Sequence, residues 1–286
     1  MTGRRPLSQV RLLSQVMSTR AGAFGLIAVA LLLAVAIFSP FLASHNPNAI
    51  APIDRLQGPS AMHFFGTDQL GRDLYSRVVY GTRIAIGVSV VVMSISLAIG
   101  VLLGIVAAYA PKVVDQLILS IFDIINSFPR LILALALVAV LGAGLTNVIL
   151  LVSVVFIPQF GRVARAQTIA IRNSLFLEAE QVLGAQPWRI LLHHVLPNII
   201  GPIFVLSSMN IPVVITIEAG LSFLGVGIRP PLASWGGLLH DGYTYLDRSP
   251  WLAIFSGLAL MFATLGFTLL GEALRDAIDP KLRQSR

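Results

Sequence analysis

The chain has 286 residues, of which 56% are hydrophobic and only 12% are charged, and its mean hydropathy is +0.84. Soluble globular domains carry about 25% charged residues, so this composition excludes an ordinary soluble protein and indicates a membrane protein. The net charge of +7 is explained by the placement of Lys and Arg relative to the membrane, so we expect no nucleic-acid partner. The absence of cysteine excludes disulfides and zinc–thiolate sites.

Six apolar runs are long enough to cross a lipid bilayer, because a helix needs about 20 residues to span roughly 30 Å of hydrocarbon. They predict an all-α, polytopic membrane protein with six transmembrane helices. The predicted spans are Ala21–Leu42, Ile84–Ala110, Leu117–Leu141, Val148–Gln167, Ile199–Leu221 and Trp251–Leu270. The first run is longer than the apolar region of a signal peptide, so it is interpreted as an uncleaved anchor. Small residues in the second run indicate close helix packing, namely Gly87, Ser94, Ser96, Gly100 and Gly104.

The distribution of Lys and Arg predicts the orientation, because cytoplasmic segments retain positive charge. With the N-terminus inside, thirteen of the twenty basic residues fall in cytoplasmic segments, six fall in external loops and Arg130 falls within a span. Both termini are therefore predicted to be cytoplasmic. The predicted organisation is a basic tail (1–20), an anchor (21–43), an external loop (44–83), a core (84–272) with a cytoplasmic loop (168–198), and a C-terminal tail (273–286).

The external loop contains a stretch after Gly66 that predicts a short interfacial helix, with Thr67 or Asp68 as its N-cap. Its apolar residues recur at helical spacing, namely Leu70, Leu74 and Val78. The charged cluster of Asp68, Arg72 and Asp73 has two interpretations, contact with an external partner protein or ties within the loop. Scattered Asp residues without an EF-hand pattern do not indicate calcium, and we expect no metal site.

Three charged residues fall inside predicted spans, where charge is costly and often functional. Asp123 and Arg130 are predicted to share one face of the third span, about 10 Å apart by helical rise and too far apart to pair. Pro129 between them predicts a kink. Glu218 lies near the outer end of the fifth span. Each charged residue either lines a pathway or gate, or packs against polar groups of other helices or of a partner subunit.

A polar segment, EAEQVLGAQPWRILLHHVLPNI from Glu178 to Ile199, separates the fourth and fifth runs. Its periodicity predicts two short amphipathic helices that meet at a corner. Residues 176–184 form the first, which ends at Gly184; Pro187 suits the first turn of the second, which ends at Pro197. Periodicity alone is equally consistent with a membrane-surface hairpin that has no partner.

This segment resembles the signature loop of ABC importer permeases, which has E-A-A, a Gly four residues later and a hydrophobic-Leu-Pro ending. Matching positions are Glu178, Ala179, Gly184, Ile190, Leu196 and Pro197, whereas Glu180 stands where the family most often has Ala. Four longer segments resemble the C-type membrane subunit of the dipeptide and oligopeptide branch. They are FFGTDQLGRDLYSRVVYGTR, DIINSFPRLILALALVAVLGAGLTN, EAGLSFLGVGIRPPLASWG and LLGEALRDAIDPKLR, between Phe64 and Arg283.

The resemblance implies a type I ABC importer permease fold in the bacterial cytoplasmic membrane. It implies a homologous second permease subunit, an extracytoplasmic binding protein that delivers di- or oligopeptides, and two ATPase subunits that contact the polar segment as a coupling loop. The implied coupling residues are Glu178, Ala179, Glu180, Gly184, Arg189, Ile190, Leu196 and Pro197. The chain has no Gly-rich phosphate loop, so ATP and Mg are expected on the partner ATPases and no cofactor is expected on this chain.

Two other functions are considered. The same permease role could serve nickel or another small solute, because closely similar permeases carry metal chelates. An ion-coupled secondary transporter would be expected to show paired intramembrane carboxylates and repeated halves, and no halves repeat here. A membrane enzyme is not expected, because the chain has neither an H-E-x-x-H nor a G-x-S-x-G motif, and no catalytic residue is assigned.

Overall fold

The computed structural model describes residues 14–172, 174, 177, 180 and 186–278, and this part of the chain is helical with connecting loops. We number the long helices in chain order. They are α1 (Arg20–Leu42), α2 (Leu74–Tyr109), α3 (Lys112–Asn126), α4 (Arg130–Leu141), α5 (Leu145–Arg172), α6 (Leu196–Phe223), α7 (Trp235–Thr244) and α8 (Trp251–Ile278). Shorter helical pieces are the 3-10 turn Pro52–Asp54, the α-turn Pro187–Ile190 and the π-turn Leu191–Val195. Among the described residues the only β-type pairing is an isolated bridge between Thr67 and Asp73.

Five of these helices are long and apolar enough to cross a membrane, namely α1, α2, α5, the helix Leu191–Phe223 that contains α6, and α8. Helices α3 and α4 meet this criterion only as a pair, and the pair is bent by 91°. The described residues therefore hold five candidate spans, or six if the bent pair is one span. This agrees with the predicted fold class.

The prediction of a single, kinked third helix is wrong, because α3 ends at Asn126 and α4 starts at Arg130. Pro129 occupies the N-cap position of α4. Proline has no N–H for a helical hydrogen bond and disfavours helical geometry in the residue before it, here Phe128. One helix therefore ends before the proline and a new helix begins after it.

The predicted interfacial helix with Thr67 or Asp68 as its N-cap is also wrong, and the helix that contains the second predicted span begins before Ile84. A loop occupies residues 66–73, and the first helix after it is α2, which runs without a break from Leu74. The carboxylate of Asp73, rather than Thr67 or Asp68, caps this helix by accepting the N–H of Ser76 at 2.9 Å. Gly71 has a φ of 75°, and a Cβ there would lie 1.8 Å from the Ala51 carbonyl oxygen, so only glycine allows this turn.

The chain divides into two compact units, and α2 and α6 each contribute to both. The first unit contains residues up to 89, residues 143–145 and residues from 208 onward. In this unit α1 packs along α8 through small residues: a Cβ on Gly25 would lie 2.5 Å from the Leu270 nitrogen, and one on Gly266 would lie 2.9 Å from the Ala28 Cβ. The buried Trp235 joins this core, and its indole N–H donates to the Val78 carbonyl at 3.0 Å.

The second unit contains residues 90–142 and 146–207. Here the C-terminal half of α2 lies against α5 at small residues. A Cβ on Gly100 would lie 2.7 Å from the Ile157 carbonyl oxygen, and one on Gly104 would lie 2.3 Å from the Gly161 carbonyl oxygen. The hydroxyl of Ser96 also donates to the Ser153 carbonyl at 2.9 Å. The predicted close packing is therefore confirmed at Gly100, Gly104 and Ser96, whereas a Cβ on Gly87 would meet open space.

Candidate functional site

The loop between α1 and α2 holds a buried network of charges centred on Asp68, whose side chain is fully buried. One carboxylate oxygen accepts from the Arg72 Nε at 2.6 Å and lies 3.4 Å from the Arg77 Nε. The other oxygen accepts the N–H groups of Leu70 at 2.8 Å and Arg72 at 2.9 Å. Both arginines are buried, and Arg77 also donates to the Pro47 carbonyl at 3.0 Å. The network fixes the loop to the first turns of α2.

Asp241 of α7 faces the same network. Burial raises the pKa of Asp241, and the negative charge of Asp68 adds to this effect. A hydrogen bond from Gln69 and the charges of Arg72 and Arg77 act in the opposite direction but do not cancel it. The two arginines therefore have one carboxylate in direct contact, Asp68, and a second nearby, Asp241, whose pKa is raised by burial.

Asp73 forms a second cluster beside this network. Its Oδ2 accepts from the Ser76 hydroxyl at 2.7 Å and the Ser44 hydroxyl at 3.1 Å, and its Oδ1 lies 2.9 Å from the Nδ1 of His63. The Nδ1 of His45 lies 3.7 Å from the same Oδ1. Burial acts to raise the pKa of Asp73, but hydrogen bonds from Ser76, His63 and Ser44 outweigh it and hold the pKa below its usual range.

The three external residues named from the sequence, Asp68, Arg72 and Asp73, thus lie together and are all buried. A buried side chain offers no surface to a partner protein in this conformation. The geometry fits the interpretation that they tie the loop together. Arg77, Asp241 and the two histidines belong to the same two clusters. The sequence does not predict this, because no short-range motif connects them to Asp68 or Asp73.

The two charges predicted on the third span do not share a helix face, because Asp123 lies in α3 and Arg130 begins α4. Asp123 is exposed and forms an ion pair with Arg162 of α5. Arg130 instead donates to the Gln159 side chain at 3.0 Å and stacks over the Phe156 ring, 4.8 Å from its centroid. Each charge therefore has a partner on α5, which fits packing between helices.

Glu218 is buried in α6 with 1% of its surface exposed. Its carboxylate accepts from the Ser222 hydroxyl at 2.8 Å, and that hydroxyl accepts the Ile228 N–H at 3.1 Å. Glu218 therefore holds the chain as it turns away from the end of α6. Its role in a pathway or gate stays a prediction.

The cytoplasmic loop predicted at residues 168–198 begins within α5, which continues to Arg172. The guanidinium of Arg172 donates to the Ala108 carbonyl at 2.7 Å and lies over the Tyr109 ring, so the end of α5 is fixed to the end of α2. Within the loop the side chains of Leu177 and Ile190 are buried, whereas those of Arg189 and Leu192 are exposed. Three predicted coupling residues, Glu178, Ala179 and Gly184, lie outside the described residues.

The second predicted helix of the loop starts at Pro187 as expected, but it does not end at Pro197. Helical structure continues to Phe223 through the π-turn Leu191–Val195, in which the Leu196 N–H donates to the Leu191 carbonyl. In an α-helix the ring of Pro197 would collide with the carbonyl four residues earlier. A preceding π-turn displaces the carbonyls and relieves this collision, so the helix continues.

Comparison with known proteins decides the family. A family model described as "Binding-protein-dependent transport system inner membrane component" matches residues 100–284, which is more than half of the chain. The chain belongs to this family of ABC permeases. A second model, "N-terminal TM domain of oligopeptide transport permease C", matches residues 14–59 of the permease.

Several curated relatives match almost the whole permease. The dipeptide transport system permease protein DppC of Alkalihalophilus pseudofirmus is 39% identical over 269 residues, covering 94% of this chain and 88% of that protein. The glutathione transport system permease protein GsiD of Pectobacterium atrosepticum is 38% identical over 274 residues, covering 96% and 90%. The probable D,D-dipeptide transport system permease protein DdpC of Escherichia coli is 40% identical over 253 residues, covering 88% and 85%.

A solved structure is similar in fold. A chain of the MetNI methionine ABC transporter, in inward-facing conformations, superposes with a TM-score of 0.57 and covers 71% of this chain and 97% of that chain, at 17% identity. The family and this fold establish the permease as a multi-pass inner-membrane transport subunit of an ABC importer and not an enzyme. The family assignment excludes the alternative that this chain is an ion-coupled secondary transporter. It implies ATPase and substrate-binding partners in general.

Proposed function

We propose that the permease carries di- or oligopeptides and forms one half of a translocation pathway whose other half is a homologous second permease subunit. The observation that carries the substrate class is the near full-length similarity to permeases named for dipeptides, glutathione and D,D-dipeptides. An extracytoplasmic binding protein delivers the peptide, and two cytoplasmic ATPase subunits bind ATP and Mg and drive the cycle. ATP and Mg are bound by the ATPase subunits and not by this chain, which has no Gly-rich phosphate loop.

We expect that deletion of this chain from its native strain abolishes energy-dependent uptake of labelled di- and oligopeptides, and that the intact gene on a plasmid restores it. A labelled nickel chelate, measured in the same strains, is the comparison substrate. Unchanged peptide uptake together with a loss of nickel uptake would contradict the peptide assignment and favour the nickel alternative.

We also propose that the loop between α5 and α6 is the coupling segment that contacts the ATPases. The support is its position between two long helices, its anchoring through Arg172 and the buried Leu177 and Ile190, and its exposed Arg189. A segment that is fixed at both ends transmits a displacement to the helices, whereas a loose loop absorbs it. The π-turn places a bulge of a kind often found at functional sites directly before α6.

Both termini and this loop are proposed to face the cytoplasm, on the basis of the Lys and Arg distribution. The chain has no native cysteine, so single cysteines report position without background. Ser60 is exposed in the loop between α1 and α2, and Lys112 is exposed at the first position of α3. In intact cells an impermeant thiol reagent is expected to label Ser60→Cys, and to label Lys112→Cys only after permeabilisation. The reverse pattern would overturn the orientation.

A further inference from the structure

We propose that His45, His63 and Asp73 bind one divalent first-row transition-metal ion, with Zn²⁺ as the reference ion, where the loop after α1 meets the start of α2. The inference does not depend on the proposed substrate. It rests on the distances between the donor atoms, on how Asp73 is held and on the exposure of each ligand.

The donor atoms are already close to a coordination geometry. The Asp73 Oδ1 lies 2.9 Å from the His63 Nδ1 and 3.7 Å from the His45 Nδ1, and the donor atoms of all three residues lie within 4.8 Å of one another. Zinc bonds of about 2.0–2.2 Å to nitrogen and oxygen place the ligand atoms of one ion roughly 3–3.5 Å apart. To bring all three donors onto one ion, the exposed His45 ring has to leave the Ser44 hydroxyl, 3.1 Å from its Nδ1, and move closer to His63 and Asp73.

Asp73 is held so that one oxygen remains available to an ion. Its Oδ2 accepts the Ser76 N–H at 2.9 Å, the Ser76 hydroxyl at 2.7 Å and the Ser44 hydroxyl at 3.1 Å. Its Oδ1 faces the two histidines. The backbone N–H of His45 also donates to the Ser76 hydroxyl oxygen at 3.1 Å, which fixes this residue to the first turn of α2. Such outer hydrogen bonds orient the ligands of metal sites.

The exposure of the ligands provides an entry path. The side chain of Asp73 is 1% exposed and that of His63 is 9% exposed, whereas that of His45 is 40% exposed. An ion can therefore arrive from solvent at His45, with water completing its coordination. Two imidazoles and one carboxylate suit Zn²⁺ and its first-row neighbours, whereas Ca²⁺ and Mg²⁺ prefer oxygen ligands alone.

A purely structural hydrogen bond between His63 and Asp73 explains only part of this arrangement. That hydrogen bond involves only His63 and Asp73, whereas the His45 Nδ1 lies 3.1 Å from the Ser44 hydroxyl and 3.7 Å from the same Asp73 oxygen, and the His45 ring centre is 5.0 Å from that of His63. When the ion binds, the proton on the His63 Nδ1 is released or moves to Nε2, because the ion takes its position. The positive end of α2 opposes a cation, so we expect weaker affinity than in a closed four-ligand zinc site.

The test is Zn²⁺ binding to the full-length permease, purified through a tag that contains no histidine. We expect one Zn²⁺ per chain by elemental analysis after dialysis, a higher melting temperature with Zn²⁺ than with Ca²⁺, and visible absorption bands with Co²⁺ as a spectroscopic probe. His45→Ala is expected to weaken Zn²⁺ binding at least tenfold without changing the melting temperature of the metal-free protein, because His45 is on the surface.

The matched control is His193→Ala, which removes an exposed histidine from the cytoplasmic loop and is expected to leave Zn²⁺ binding unchanged. Two results would overturn the proposal. One is wild-type permease that binds no Zn²⁺ after dialysis. The other is His45→Ala permease that binds Zn²⁺ with the affinity of the wild type.

Discussion

Glu178→Arg is expected to abolish import and to release the ATPase subunits during purification, while the permease reaches the membrane at a near-normal level. Glu and Arg are both good helix formers, so the change reverses the charge at the proposed contact without altering helix propensity. Disrupting a buried, hydrogen-bonded charge pair at an interface costs about 2–5 kcal/mol. Because about 1.4 kcal/mol corresponds to a tenfold change in affinity, the ATPases should bind more than tenfold more weakly.

The matched control is Glu272→Arg, which makes the same charge reversal at an exposed position near the C-terminal end of α8. It lies in a helix and on the same proposed side of the membrane, so it controls for net charge and insertion. Peptide uptake and the ATPase retained on an affinity column are measured for both variants. If Glu178→Arg imports at the parental rate with the ATPases bound, the loop is only a surface hairpin, although the family assignment stands.

The membrane helices could be predicted because hydrophobicity over 20 or so residues is a local property. The ends of these helices could not be predicted in the same way, because they depend on capping by polar residues and on contacts with distant parts of the chain. Helix α2 begins at Leu74 although Ser76 and Arg77 make its first turns polar, since Asp73 caps it and Asp68 neutralises Arg77. Pro129 predicts a disturbance of the helix, but a proline alone does not distinguish a modest kink from the 91° bend between α3 and α4, which also depends on contacts with distant helices.

The candidate site residues likewise divide into those that a local motif predicts and those that only distant contacts define. The proposed coupling loop is predicted from a contiguous motif, which a single sequence displays directly. The external cluster was found as charged residues, but its burial was not predicted, because charged residues in a loop are ordinarily exposed. Its interpretation depends on Asp241 and His45, which are distant in the chain and become neighbours only in the fold.

Asp68→Asn is expected to cause a large loss of stability in the permease. The substitution preserves the shape of the side chain and an oxygen for the N–H groups of Leu70 and Arg72. It removes the negative charge and replaces the oxygen that accepts from the Arg72 Nε by an NH2 group, which can only donate. Arg72 and Arg77 are then left buried, 5% and 3% exposed, without an ionised carboxylate in contact. Removing one partner of a buried ion pair typically costs about 3–5 kcal/mol.

The measurement is the melting temperature of the purified permease in detergent. At about 2–4 °C per kcal/mol for chains of this size, Asp68→Asn should lower it by roughly 10 °C. Asp247→Asn, which neutralises an exposed aspartate in the external segment before α8, is the control and should change it little. Adding Arg77→Met to Asp68→Asn should recover part of the loss, because it removes one of the unpaired charges.

The same variant separates the two interpretations of the external cluster. If Asp68 ties the loop together, peptide uptake should fall only in proportion to the amount of folded permease, and the melting temperature should fall with it. If Asp68 instead contacts the binding protein, Asp68→Asn should lose uptake at an unchanged melting temperature and an unchanged level in the membrane. The complete burial of Asp68 leads us to expect the first result, and the second would show that the loop opens to expose this carboxylate during transport.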